Sequence, residues 1–578
     1  MAEQTTLYGP DERPLPVAMR KRAMDLAHAN QQRSESYRSA GVDHASTVQW
    51  KSMAKPTSDA MRQSREVVSN RLRDLVRNNP EIAAGIEKKV NNIVGTGWRL
   101  SAKPNHRRLG ITSEQADIIA DQIEALWQDY AASSGFWCDA ERQGDSNDLL
   151  LTAAYHMAMD DEVFGLLVWR DQPSPTGFQT AMQLIHPGRC SNPRNQSNTE
   201  TLRDGITLDK FGAANGAHFR RALKGESIFK HGRTAHEWDW FPRELEGSRP
   251  RLVHCKPIRE AGLKRSISKL VSVMLRARQG DQYLDYETQA AMLNAVMALF
   301  IETPFDMFDA MDSISSDSVD SLGEIHQANQ AYHTAVPIKM EGAQVNMLGP
   351  GEKPHLTTPG HPNTAFEPFL QKISRTIASV LGITYEQLTM DWSEVNYSSA
   401  RAAILEVARG FKVEAGQLRK QFMNLWYRAW LEEVFDKELL VLPTIDDGRE
   451  LPSFDEKPDA WCGCAWIGTG KGYVDPVKEV QAAGMRIALG LSTLEVECAE
   501  QGHDWKELIE QRAKELFYML DKGLPQSAID SIYGASSSTT DEQSDQDNGD
   551  KDENGEELTG KQAKARRASF IPRVKRQA

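Results

Sequence analysis

The sequence predicts an α+β, predominantly helical fold with more than one domain. Apolar residues recur at helical spacing up to Tyr130 and again after Leu263, and short apolar runs cut by Pro, Gly and Asn fill the stretch between Asp161 and His254. A chain of 578 residues, 40% hydrophobic and 26% charged, is long enough to bury a sizeable core.

Along the chain, Arg62 to Ile93 carries Val67, Leu72, Leu75, Val76, Ile82, Ile86, Val90 and Ile93 at helical spacing, and Pro80 divides it into two helices. Gly95-Thr96-Gly97 stops the second, after which Trp98-Arg99-Leu100 starts a strand. Ser113 to Tyr130 reads as a helix with Ile118, Ile119, Ile123, Leu126 and Trp127 on one face. Val163 to Trp169 is the clearest strand of the β-rich stretch. Leu263 to Phe300 reads as one very long helix with Ile267, Leu270, Val271, Leu275, Leu284 and Met297 among its apolar positions, kinked at Gly280. Phe366 to Leu381 is a helix that Gly382 terminates. A polar loop, Thr389 to Ser398, leads into a helix from Ser399 to Phe435 bearing Phe422, Trp426, Tyr427 and Trp430. Helices over Pro476 to Leu489, Leu491 to Ala499 and Trp505 to Leu520 close the folded part. Beyond Gly534 too few apolar residues remain to build a core, so a disordered tail is expected, acidic from Asp541 to Glu557 and basic from Lys561 to Arg576. It reads either as a solvated appendage or as a contact to DNA or an acidic partner.

Composition narrows the function classes. The formal charge of −13 argues against a broad basic surface that grips nucleic acid. No run of about 20 apolar residues is present to span a membrane. Met1 to Pro16 has acids and prolines where a secretory signal needs a basic start and an apolar run, so a cytoplasmic setting is expected. The six cysteines read as packed, reduced thiols, and the Cys462–Cys464 pair lacks the second pair that a zinc site needs.

Catalytic motifs fail on inspection. Gly468-Thr469-Gly470-Lys471-Gly472 has no hydroxyl residue after its lysine and no glycine at Ala465, so it does not make a phosphate loop. His236-Glu237-Trp238-Asp239-Trp240 lacks the second histidine of a zinc protease helix. The adjacent acids Asp160 and Asp161 read as an exposed helix end rather than metal ligands. A packaging ATPase or nuclease is therefore not supported, and no cofactor, metal or catalytic residue is expected.

Several blocks, taken together and in order, resemble the lambda-type phage portal family. They are Asp74 to Pro80 with Asn92 to Gly95, Pro242 to Gly247, Leu381 to Leu388, Tyr397 to Ala402, and Asp475 to Val480 leading to Gly490 to Thr493. The resemblance runs from Arg62 to Leu520, and none of the blocks carries a catalytic group. It implies a fold of wing, stem, clip and crown, assembled as a ring of about twelve copies around a central channel. On that plan residues 1–61 are an N-terminal arm, 62–262 the wing, 263–300 the first stem helix, 301–363 the clip and 364–384 the second stem helix. Residues 385–398 become the tunnel loop, 399–534 wing and crown helices, and 535–578 the tail.

The same resemblance implies a virion protein at one capsid vertex, assembled in the bacterial cytoplasm, through which double-stranded DNA is packaged and ejected. Its partners would be the major capsid protein, the terminase large subunit and head completion or connector proteins, with no membrane. A channel for moving DNA must not hold it tightly, which suits an acidic chain. Asp391, Trp392 and Glu394 of the tunnel loop are candidates for contact with passing DNA. Lys264, Arg265, Lys269 and Arg276, placed on the first stem helix, are candidates for centring the duplex, or equally for solvated or subunit-bridging charges. Another capsid-associated adaptor or scaffold without catalytic activity would share this acidic, helical profile.

Overall fold

The computed structural model describes residues 57–223, 236–297, 366–393, 395–443, 451–470 and 476–525, with short pieces at 300–301, 331, 346–347, 527 and 529. Nearly all of the expected N-terminal arm and clip, and the whole of the charged tail, lie outside the described residues. The chain divides into two compact units, 1–476 and 477–578.

In the first unit, α1 (Thr57–Asn78) and α2 (Pro80–Ile93) are separated where expected, at Asn79-Pro80. Proline occupies the first helical position of α2, where a missing N–H costs nothing, and Asn79 Oδ1 accepts from Ile82 N at 2.8 Å. Strand β1 (Arg99–Ala102) follows, then a single turn, α3 (His106–Leu109), and α4 (Ser113–Ala131), which Thr112 and Gln115 cap reciprocally. The face of α4 is set by Ala116, Ile119, Ile123, Trp127 and Tyr130. Ile118, expected on that face, is 60% exposed, because it lies about 100° of helical rotation from Ile119.

After α5 (Ser146–Asp160) the β-rich stretch forms two antiparallel sheets. Strands β2 (Val163–Trp169) and β3 (Thr180–Ile185) belong to the first; β4 (Leu202–Arg203), β5 (Ile206–Leu208), β6 (Ala214–Arg220) and β7 (Trp238–Pro242) make the second in sequence order. Strand β8 (Leu252–Cys255) returns to pair with the free edge of β2, giving the order β3-β2-β8. Side chains alternate along β2, so its two faces serve two cores. Phe164 and Leu166 join Ile206, Ala217 and Phe219 between the sheets, while Val163 and Leu167 join the helical core.

The long helix expected from Leu263 is shorter than its apolar pattern suggested. Residues 263–268 are non-helical, Lys269–Ser272 is a 3₁₀ turn, and only α6 (Met274–Met297) is α-helical. Ser268 is responsible locally, since its hydroxyl accepts from Leu270 N at 3.2 Å and starts the turn there. Val271, Leu275 and Leu284, expected on the apolar face, are 40%, 68% and 45% exposed. Two short strands, β9 (Phe300–Ile301) and β10 (Asn346–Met347), pair in parallel.

Helix α7 (Phe366–Leu381) has the expected bounds, and Gly382 follows with φ +77°, the left-handed conformation that favours glycine. Next come α8 (Tyr385–Thr389), α9 (Tyr397–Leu418) and α10 (Asn424–Asp436), the last two joined without a break by a π-helical turn at Arg419–Met423. The extra residue in that turn shifts the helix face, and Phe422, Met423, Trp426, Tyr427 and Trp430 all enter the core. There Trp127 meets Trp430 edge-on at 5.0 Å, and Trp426 Nε1 donates to Tyr130 Oη at 2.9 Å. Finally α11 (Pro458–Trp461) leads to β11 (Cys464–Ile467), which pairs antiparallel with β1 and so ties residue 99 to residue 467. All six cysteines are free thiols.

The second unit contains α12 (Pro476–Ala488) from its second residue on, α13 (Leu494–Glu500) and α14 (Trp505–Asp521). Arg486 and Glu497 join the first two through a bidentate ion pair at 2.6 and 2.8 Å.

Candidate channel-lining surface

Helices α6 and α7 pack antiparallel. Gly280 lies against Ile373, and Tyr283, one turn later on α6, meets Phe369 and Phe366 at ring distances of 5.0 and 5.7 Å. Helix α6 runs unbroken through Gly280. The glycine serves close approach rather than the expected kink, since a Cβ there would sit 3.2 Å from Ile373 Cδ1. The base of the pair is bolted to the start of α2: Asn79 Nδ2 donates to Asp281 Oδ1 at 2.8 Å, and Ser374 Oγ donates to Glu81 Oε1 at 2.7 Å. Only one side of α6 is packed. Leu275, Tyr286 and Met292 are 68%, 65% and 64% exposed.

The loop between α8 and α9 is held at both ends. Met390 closes α8 in the left-handed conformation, and Asn396 Oδ1 caps α9 by accepting from Ser399 N at 2.9 Å. Between them Ser393 donates to Asp391 Oδ1 from N at 3.0 Å and from Oγ at 2.7 Å, which holds the exposed Asp391 carboxyl below its ordinary value. Trp392 is 40% exposed beside it. Glu394, the third loop candidate, lies outside the described residues.

The four basic candidates do not share a helix. Arg276 alone is on α6, and it is exposed. Lys269 sits on the 3₁₀ turn and pairs with Glu414 of α9 at 3.0 Å, where Lys89 of α2 also binds at 2.9 Å. Lys264 donates to the carbonyl of Gly212.

Arg265 is buried, 3% exposed, and belongs to the protein interior rather than to a helix surface. Its Nε and Nη2 donate to Glu162, Nη1 to the carbonyls of Cys190 and Asp204, and Nη2 also to that of Pro187. Such a guanidinium faces protein on every edge, so it is withdrawn as a duplex-facing residue.

The acids read as an exposed helix end are likewise interior: Asp160 and Asp161 are 8% and 6% exposed, and the neighbouring Glu162 is 1% exposed. Asp160 pairs with Arg73 at 2.6 Å, Asp161 with Arg259 at 2.7 Å, and Glu162 with Arg265 at 2.5 Å. Burial raises the Glu162 carboxyl, but Arg265 and His254 outweigh it and hold the group well below the carboxylate range. For Asp161 burial prevails, and its carboxyl is shifted upward. These partners lie 87 to 103 residues away along the chain, beyond any local sequence signal.

Two contributors escaped the sequence reading. Lys88 of α2 reaches Met390 Sδ and brings a cation to the loop, and the exposed Tyr397 stands at its far end. Among the described residues no group of acids, histidines and cysteines is arranged to hold a metal ion, and no helix is long and apolar enough to cross a membrane.

A family model described as phage portal protein, lambda family, matches residues 43–414. Portal protein B of Escherichia phage lambda is 33% identical over 479 residues, covering 82% of this chain and 88% of that protein. The portal protein of Escherichia phage N15 is 31% identical over 446 residues, covering 76% and 82%. Among solved structures, a chain from the virion of a native gene transfer agent particle aligns at 11% identity with a TM-score of 0.33, covering 78% of this chain and 94% of that one.

Proposed function

The chain belongs to the lambda family of phage portal proteins and functions as a portal, and we propose that it does so as a closed ring of about twelve copies. Around that ring's axis DNA would enter the capsid during packaging and leave during ejection. The ring would sit at one vertex against the major capsid protein, bind the terminase large subunit first and head completion or connector proteins afterwards, and carry out no catalysis.

The observation that supports this most directly is the α6–α7 pair. Its inner contact at Gly280, Tyr283, Ile373 and Phe369 leaves Leu275 and Tyr286, about 20° apart in helical rotation, uncovered on the other side of α6, with the exposed Met292 on its flank. A surface helix normally has one apolar stripe; a second one asks for a neighbour. In a heterologous ring the next subunit supplies it. The regions then follow the plan of wing at 62–262, stem at 263–300 and 364–384, and clip at 301–363. The loop at 390–396, capped at both ends with Trp392 outward, is our candidate for touching the duplex.

Negative-stain electron microscopy with native mass spectrometry tests this assembly. Rings of about twelve subunits with an open centre are expected. Monomers or dimers under every assembly condition would overturn the ring and favour a capsid-associated adaptor. Magnesium-dependent DNA cleavage or ATP turnover by the purified chain would overturn the non-catalytic assignment.

A further inference from the structure

A cavity of about 710 Å³ lies beside α1, far from the loop just described in sequence and built from other elements. Six arginines line it: Arg62, Arg65, Arg73, Arg77, Arg220 and Arg265. Four carboxylates line it as well: Glu66, Asp160, Glu162 and Asp204. Two guanidinium charges are therefore in excess, in a chain whose 81 acids outnumber its 68 lysines and arginines.

Three of the acids already hold three of the arginines. Asp160, Glu162 and Asp204 are 8%, 1% and 4% exposed, and each is already bound to an arginine, Asp204 to Arg65 at 3.3 Å. Arg62, Arg77 and Arg220 are held differently. Arg62 donates to the Gln196 carbonyl at 2.9 Å, Arg220 donates to Ser191 Oγ at 3.0 Å and Asn195 Oδ1 at 2.7 Å, and Arg77 is exposed. Arg62 and Arg220 thus donate to neutral acceptors, which orient a guanidinium without cancelling its charge, and Glu66 is the acid whose charge Arg220 feels. Arg65 adds an unmet demand, because its Nη1 is buried with no hydrogen-bond partner among the described residues. A buried donor in that state is costly until an acceptor arrives.

We propose that this cavity binds the phosphates of a nucleic-acid strand. Three features select phosphate chains over a single small anion. First, the volume falls within the range of about 300–1,000 Å³ typical of organic ligand sites, well beyond one ion. Second, Arg62 and Arg77 stand at the two ends of one row on α1, about 22 Å apart at the α-helical rise, with the acid-paired Arg65 and Arg73 between them, a span that suits more than one phosphate. Third, guanidinium forks beside Ser191 and Asn195 offer the mixed charged and neutral donors that phosphate oxygens take. The floor of paired acids limits how tightly a strand is held, so binding is weak and strongly salt-dependent.

The full chain, with its assembly state matched between samples, is titrated by fluorescence anisotropy against a labelled single-stranded thymidine oligonucleotide, a duplex of equal length, and inorganic phosphate as competitor. With two to three phosphates neutralised, the affinity for the single strand is expected to fall about tenfold between 50 and 200 mM salt. The double variant Arg62→Glu, Arg77→Glu is expected to lose at least about tenfold at low salt. Arg409→Glu, an exposed α9 guanidinium paired with Glu406, makes the charge change of either single substitution elsewhere and is expected to lose less than about twofold, against at least about threefold for Arg77→Glu alone.

Equal losses in the double variant and in Arg409→Glu would overturn the site, as would the absence of saturable binding by any probe. Saturable binding of inorganic phosphate alone, abolished by the same double variant, supports the phosphate site and overturns the strand as its source. If the double variant fails to fold by circular dichroism, Arg77→Glu alone carries the test, since that side chain is exposed. Ring formation is read separately by microscopy, so this result and the portal assembly stand or fall independently.

Discussion

Arg265 and Glu162 form a buried ion pair in which every guanidinium N–H has an acceptor. Nε lies 2.9 Å from both Glu162 oxygens and Nη2 2.5 Å from one, and the remaining donors meet the carbonyls of Cys190, Asp204 and Pro187 at 2.9, 2.9 and 3.0 Å. The pair joins the end of α5 to the segment leading into α6 and to the loops before β4 and β5. It works as an interlock between the two sheets and the helices.

Removing one partner strands the other charge. Arg265→Met and Glu162→Gln are each expected to cost about 3–5 kcal/mol in urea unfolding. The double variant Glu162→Gln, Arg265→Met should recover only part of the summed losses, because three backbone carbonyls still lose their donor. Strictly additive losses would show that the two side chains are not coupled.

Acidification should destabilise the fold before carboxylates titrate. Burial, then Arg73 and His156, push the His186 imidazole from its ordinary 6.5 down to about 4. The unfolded chain therefore binds a proton that the folded one refuses, and the stability this represents is present above pH 6.5 and lost as pH falls toward 4. His186→Asn keeps an acceptor for the Gly188 N–H and removes the titration. Unfolding midpoints measured from pH 7.5 to 4.5 should fall less steeply for the variant; parallel slopes would contradict the assignment.

Asn79 performs two tasks with one amide, capping α2 through Oδ1 and holding Asp281 of α6 through Nδ2, each at 2.8 Å. Asn79→Ala should cost about 1–2 kcal/mol as a lost cap. Asn79→Asp keeps the cap but sets a carboxylate against Asp281, whose own carboxyl burial already shifts upward. Its deficit relative to wild type should shrink as pH is lowered from 7 to 5, measured by thermal unfolding at each pH. A deficit that does not change with pH would place the loss in the cap rather than in the contact to α6.

Trp392 offers a test of the loop without a test of the fold. Being 40% exposed, it should tolerate Trp392→Ala with a stability change within about 0.5 kcal/mol. DNA uptake into capsids carrying the variant is expected to change at least twofold in rate. Unchanged uptake would remove this side chain from the DNA path.

Much of this chain can be read residue by residue. Pro80 after Asn79, Gly382 after Leu381 and the aromatic row from Phe422 to Trp430 are local signals, and the helix ends and the buried cluster stand where they point. Leu263 to Phe300 misled because an apolar period was taken for continuous helix, while Ser268 bonded its neighbouring backbone and Arg265 turned inward. Trp426 and Trp430 were legible as apolar, but the π turn that brings them and Phe422 to one face was not, since a single added residue leaves no mark on composition.

By itself the sequence determined the order and kind of most of the helices, the family, and the poverty of catalytic motifs, all of which rest on neighbouring residues or on ordered blocks. Tertiary structure alone decided that Asp160, Asp161 and Glu162 are interior, that Arg265 answers Glu162, that Gly280 is a contact, and that arginines of α1 share a cavity with Arg220. The reason is physical: periodicity reports which face of an element avoids water, whereas the partner of a charge is set by which distant segments the fold brings within 3 to 4 Å.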